Sequence, residues 1–179
     1  SGKGTAADIL VDEHGFTKLS FADKLKDGVA TVFGWDRAML EGETDKSREW
    51  REKKDSFWSS ETGRTITPRL VLQEFGTDCM RHGFNDGIWV SLVKKQITQS
   101  PNTNFVIPDV RFPNEVEAIN RAGGKVVRLE RDVHEDKHDS ETALDVDNYN
   151  HANFWSVLDN GNMTIGDTII EVKKILEQI

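Results

Sequence analysis

Residues 1–11 read SGKGTAADILV, and the first five, Ser1, Gly2, Lys3, Gly4 and Thr5, match the second half of a phosphate-binding loop of the form GxxxxGKxT. In such a loop the glycines let backbone N–H groups close around phosphate oxygens, the lysine adds a point charge, and the following helix offers its positive N-terminal end. Residues 6–11 supply that helix. The loop's first glycine and the apolar strand that feeds it are expected ahead of Ser1. The competing reading is a plain glycine turn before a helix. It weakens if further phosphate-handling residues follow in the right order.

Working outward, Gly15 breaks the chain and residues 16–21 alternate as a short strand, with Phe16, Lys18 and Ser20 on one side and Thr17, Leu19 and Phe21 on the other. Residues 22–33 carry Leu25, Val29, Val32 and Phe33 at helical spacing, and Gly34 closes them. Residues 41–64 are dense in alternating charge with Trp50, Phe57 and Trp58 interspersed, which predicts solvated helices anchored by a few aromatics. Thr67 as N-cap and Pro68 in the first turn start a helix whose apolar content is Leu70, Leu72, Phe75 and Met80, ending at Gly83. Residues 86–97 form a further helix with Ile88, Trp89, Leu92, Val93 and Ile97 as its buried stripe.

The run FVI within 104–108 is short enough for a fully buried central strand. Residues 113–122 are helical, Gly123 and Gly124 stop them, and 125–129 read as a strand. Residues 131–150 are polar and poorly periodic, the pattern of a mobile flap. A strand at 154–158 and an amphipathic helix over 165–179, with Ile169, Val172, Ile175 and Leu176, close the chain. Strands alternating with helices imply an α/β fold with a parallel sheet, whose ligands bind at the carboxyl ends of the strands.

The composition limits the function. The 179 residues suffice for about one domain. Thirty-one acidic against 23 basic side chains give a net charge of −8, which argues against a surface that grips long nucleic acid, though not against a local anion site. The single cysteine, Cys79, cannot close an internal disulfide; it reads as a helix-packing residue in a reducing compartment. No apolar run approaches the roughly 20 residues that span a bilayer, so no membrane partner is expected and the cytoplasm is the expected location. His134 and His138 share helical spacing, but no third soft ligand lies nearby to make a metal site with them.

Each predicted strand end carries chemistry-bearing residues. Asp23, Lys24 and Lys26 follow the second strand, Asp109 and Arg111 the third, Arg131 the fourth, and Asn160 with Gly161 the last. Such an array suits two phosphorylated molecules held end to end, because phosphoryl transfer needs alignment, charge neutralisation and exclusion of water more than covalent help. Lys3 can reach the transferring phosphates. Arg111 and Lys26 can hold an acceptor phosphate, and arginine's planar fork suits its oxygens. Asp109 and Thr5 offer the hard oxygen ligands that magnesium prefers. Arg69 and Gln73, four apart, share a helix face and read either as a phosphate-and-base reader or as an exposed pair.

The order GKGTAAD, FADKLK, TPRLVLQEFGTD, IPDVRFPNE, HDSE and DNG resembles the phage-type deoxynucleoside monophosphate kinases across nearly the whole chain. The resemblance implies a P-loop kinase fold over 1–179: a parallel five-stranded sheet with flanking helices from 1–33 and 100–179, a helical acceptor-binding region over 34–99, and a lid over 131–150. It implies ATP and Mg²⁺ as cofactors, a deoxynucleoside monophosphate as acceptor, and, for a bacteriophage gene product, the host cytoplasm. Lys3, Asp109, Arg111 and Arg131 are then catalytic. Ser1, Gly2, Lys3, Gly4, Thr5, Asn160 and Gly161 bind ATP. Lys26, Arg69, Gln73, Asp78, Trp89 and Arg111 face the acceptor; His138, Ser140 and Glu141 belong to the lid; Thr5 and Asp109 hold the metal. Lys26 departs from adenylate kinases, which place an arginine in the equivalent segment. Two alternatives are another small-molecule P-loop kinase, such as a dephospho-coenzyme A kinase with Asp23 or Asp109 as base, and a nucleotide-binding protein without turnover. Trp50, Phe57 and Trp58 leave a homodimer contact open.

Overall fold

The computed structural model describes residues 2–130 and 142–178. Ser1, 131–141 and Ile179 lie outside the described residues, and with them the expected contributions of Ser1, Arg131, His138, Ser140 and Glu141. The chain divides into two units, one of Ser1–Ser20 with Val93–Ile179 and one of Phe21–Leu92.

In the first unit, helix α1 (Lys3–His14) leads into strand β1 (Thr17–Lys18), which pairs in parallel with β2 (Phe105–Val106). Helix α8 (Pro113–Arg121), strand β3 (Val127–Glu130), strand β4 (Ser156–Asp159) and helix α9 (Ile165–Leu176) complete it, with β3 and β4 in a second parallel pair. Parallel pairing matches the expectation from alternating elements, but the described strands make two separate two-stranded sheets. Strand β2 is only half-buried, not the fully buried central strand that FVI suggested, because among the described residues it is hydrogen-bonded along one edge alone. Helix α1 packs on β1, β2 and α9. Below α8 and β3, Val116 is fully enclosed with Val126, Leu144 and Phe154 around it. Leu144, inside the 131–150 stretch expected to be a flap, is therefore a core residue; its carbonyl contacts His151 Nε2 at 3.0 Å.

The second unit is helical. Its core joins Val29 of α2 (Asp23–Phe33), Leu40 of α3 (Arg37–Glu41), Ile66, and Val71 of α6 (Pro68–Gln73). The charged stretch forms α4 (Asp45–Glu52) and α5 (Ser56–Thr62), each started by a local cap: Thr44 accepts from the Ser47 N–H, and Asp55 from the Trp58 N–H. Trp50 and Trp58 pack onto the core beside Phe33 and Trp35, with the Trp35 Nε1–H satisfied by Asp55 at 3.1 Å; Phe57 alone of the three expected aromatics is exposed. Thr67 and Pro68 act as predicted, the threonine side chain accepting from Leu70 N–H.

Beyond Gln73 the expected α-helix gives way to a π-helical segment, Glu74–His82. A π turn holds more residues than the α turn assumed from the spacing, so different positions face inward. Arg81 is buried, donating to the Asp86 carbonyl, while Cys79 is exposed and is not the packing residue expected. Gly76 lies close to Leu25, so a Cβ here, 2.7 Å from Leu25 Cδ2, would make that side chain shift. The turned-out Gly76 carbonyl accepts the indole N–H of Trp89, at the start of α7 (Ile88–Thr98), at 3.0 Å.

Candidate active site

In the first unit, Gly2 caps α1 at φ 80°, a left-handed conformation that favours glycine, and no side chain caps the helix N-terminus. A Cβ at Gly2 would stand 3.2 Å from Asn160 Nδ2, so the same position is also held open for a close approach. Gly2 and Thr5 share a small pocket with Asn160, Met163, Ile165 and Thr168. Two sequence segments predicted to meet one ligand, the glycine loop and the turn after the last strand, are thus neighbours. Asn160 is buried and its N–H donates to Glu130 O, which extends the β3–β4 ladder; Gly161 is exposed, its N–H held by Asp159. Lys3 and Gly4 are exposed on the first turn, and a Cβ at Gly4 would meet no protein atom within 4 Å.

Just past β2, Asp109 accepts a 2.6 Å hydrogen bond from the Ser20 hydroxyl just past β1, so the parallel pairing brings the two strand ends into register. Arg111 follows, its backbone N–H donating to Glu115 Oε2 at 2.7 Å; the same oxygen takes the Phe112 N–H at 3.1 Å. Glu115 is buried and fixes the turn that presents Asp109 and Arg111.

In the second unit, Lys26 Nζ lies 2.6 Å from Glu41 Oε2. Arg37 donates to the other oxygen of Glu41, and its Nε reaches Asp27 at 2.8 Å. Arg69 meets Glu52 at 3.3 Å, and Gln73 lies one turn further along α6.

The first unit carries a small opening at a helix start and strand-end carboxylate and guanidinium groups, and the second carries a lysine paired to a glutamate. The deoxynucleotide monophosphate kinase family model matches residues 36–162. The chain belongs to that family. It is 34% identical over 158 residues to a protein of Acanthamoeba polyphaga mimivirus provisionally named a deoxynucleotide monophosphate kinase, covering 80% of this chain and 77% of the viral one. It is also 39% identical over 54 residues, 30% of this chain and 22% of the other, to the deoxynucleoside-5'-monophosphate kinase of Escherichia phage T5.

Within this family member the structure adds residues that strand-end position does not single out: Ser20 against Asp109, Glu41 against Lys26 with Arg37 on its other oxygen, and Glu115 under Arg111. Only Glu115 had a local signal, a glutamate three residues into a helix opened by proline. Trp89 is buried with its indole N–H already bonded to Gly76, which makes it a fastening between the π segment and α7. Asp78 is exposed beside His82, with 3.7 Å between Oδ1 and Nδ1.

Burial alone would raise the Glu41 carboxyl, but hydrogen bonds from Lys26 and Arg37 outweigh it and hold the group below the usual glutamate range. Arg37 lowers Asp27 in the same way, and the Arg64 fork, at 2.6 and 2.5 Å, lowers Glu74. A carboxylate lowered in the folded state binds its proton less readily there than in the unfolded chain. Its stabilisation is complete above the unfolded value and is lost as pH falls through the folded one. The melting temperature is therefore expected to fall on acidification below the ordinary carboxylate range. Glu74→Gln, followed by thermal unfolding across pH, should lower stability at neutrality and flatten that acid limb; an unchanged limb would remove Glu74 from the account.

Proposed function

We propose that the chain transfers the γ-phosphoryl group of ATP to a deoxynucleoside monophosphate, giving the deoxynucleoside diphosphate and ADP. The observation that carries this reading is the pocket joining Gly2 and Thr5 to Asn160 at an uncapped helix N-terminus, in a chain of this kinase family. ATP phosphates would lie over the first turn of α1 with Lys3 as counter-charge, and the base would lie towards Asn160 and Gly161. The fold proposed is that of P-loop kinases, with the parallel β1–β2 and β3–β4 ladders as parts of a five-stranded sheet.

Mg²⁺ typically takes one or two carboxylates together with hydroxyl or water oxygens and substrate phosphates. Asp109 and Thr5 provide a donor set of that chemistry, and no three-residue His/Cys/Asp/Glu cluster exists among the described residues to compete for it. The ion's contribution would be to neutralise charge on the transferring phosphates.

An acceptor phosphate oxygen is already anionic, so it needs no general base. It forms a bond to the γ-phosphorus as the bond from that phosphorus to the β–γ bridging oxygen breaks, and the electron pair leaves with ADP. Lys26 and Arg111 are each proposed as an acceptor-phosphate residue of its own unit, and Arg69, Gln73 and Asp78 as residues for the acceptor's nucleoside. A hydroxyl acceptor would instead need a base. Asp109 is engaged by the Ser20 hydroxyl at 2.6 Å, and Asp23 lies 3.5 Å from Arg37. No helix among the described residues is long and apolar enough to cross a membrane.

Purified protein mixed with MgATP and each deoxynucleoside monophosphate in turn should yield ADP and the matching diphosphate by anion-exchange chromatography. Nucleotide binding with no product from any acceptor would overturn the kinase reading in favour of a binding protein.

A further inference from the structure

The proposed acceptor-phosphate lysine does not stand alone. Lys26 lies on α2 with its side chain 13% exposed, and its Nζ meets Glu41 of α3 at 2.6 Å. The second oxygen of Glu41 takes Arg37 Nη1, and Arg37 returns to α2 through Asp27, at 2.8 Å, and Asp23, at 3.5 Å. The charges form a closed circuit, α2 to α3 and back, in which each oxygen of Glu41 faces a different cation. Glu41 is the carboxylate of the circuit that Lys26 meets.

A lysine is a point charge on a flexible stem, with three donors and no fork to orient it. Glu41 accepts one of those donors and fixes where the nitrogen sits, leaving the ammonium valence for an anion. The cost of a carboxylate near an incoming phosphate is offset because Arg37 neutralises Glu41 from its other side. We infer that Glu41 is a positioning residue for the acceptor phosphate, acting through Lys26, with Arg37 anchoring it to α2. This inference rests on the proposed role of Lys26 in acceptor binding. The contrary role for Glu41 is a resting latch that the phosphate must displace.

The two roles give opposite signs. KM for the deoxynucleoside monophosphate, KM for ATP and kcat would be measured for wild type, Glu41→Gln, Lys26→Ala and the double variant. Positioning predicts that Glu41→Gln raises the acceptor KM about tenfold with ATP KM within about twofold, and that it adds little once Lys26 is alanine, because both changes remove one interaction. An acceptor KM that is unchanged or lower in Glu41→Gln overturns the inference, the lower value identifying a latch. Additive effects in the double variant, or parallel rises in both KM values with a lowered melting temperature, overturn it in favour of a purely structural role. If Lys26→Ala leaves the acceptor KM unchanged, the assignment of Lys26 itself fails and the inference with it, while diphosphate formation by wild type still stands. Arg37→Lys supplies a second arm should Glu41→Gln not fold: it keeps the charge but loses the fork to α2, and a rise of a few-fold in acceptor KM alone is expected. No rise overturns the anchoring.

Discussion

Lys3→Ala is expected to lower kcat by about 10²–10³, the usual loss when one preorganised group that meets developing charge is removed. The reasoning starts from position. Lys3 is the first residue of α1, next to a glycine cap whose left-handed conformation disfavours a side chain and whose Cβ position lies 3.2 Å from Asn160 Nδ2. Its ammonium would meet the transferring phosphates where negative charge is redistributed, so the effect should fall mainly on kcat and less on KM for ATP. Lysine and alanine both favour helix, and the side chain is exposed, so the melting temperature should hold within a degree or two. Lys3→Arg should recover part of the rate, since the charge is kept while its shape changes. Turnover close to normal in Lys3→Ala, measured with saturating MgATP, would sink the assignment of this lysine.

The sequence was most readable where structure depends on neighbours along the chain. Thr67 and Pro68 announce a helix because cap and first turn lie within three residues, and GKGT followed by a helix places its glycine at the N-terminus for the same reason. Strand extent was less readable. A strand's length depends on what pairs with it, and FVI yields two residues of ladder on a single edge. The π segment was not readable at all, because apolar spacing fits either kind of turn, and Cys79, read as a packing residue, is exposed while Arg81 is buried. In the candidate site the strand-end rule proposes Asp109, Arg111 and Lys26, but says nothing of what holds them. Ser20 and Asp109 are 89 positions apart and meet only through β1–β2 register. Lys26 and Glu41 are 15 apart and meet only once α3 folds back on α2.

Glu115→Ala should couple a loss of stability to a loss of activity. The carboxylate is buried and one oxygen accepts two backbone N–H groups, those of Arg111 and Phe112, at the start of α8. Alanine strands both donors, at about 1–3 kcal/mol each; both residues are only half-buried, so water relieves part of the loss and the total should be about 2–3 kcal/mol. That exceeds an ordinary surface change and should be plain in a urea unfolding curve. The same two bonds set the turn that carries Arg111, so the acceptor KM should rise even in the fraction that stays folded. Glu115→Gln separates these effects, because an amide oxygen can accept both N–H groups at the same place. It should retain most of the stability and most of the acceptor affinity, leaving only the difference between a charged and a neutral acceptor. If Gln and Ala were equally destabilising, the negative charge at the helix start would matter more than the two hydrogen bonds. If Ala lowered stability without moving the acceptor KM, Arg111 would not depend on this turn for its place.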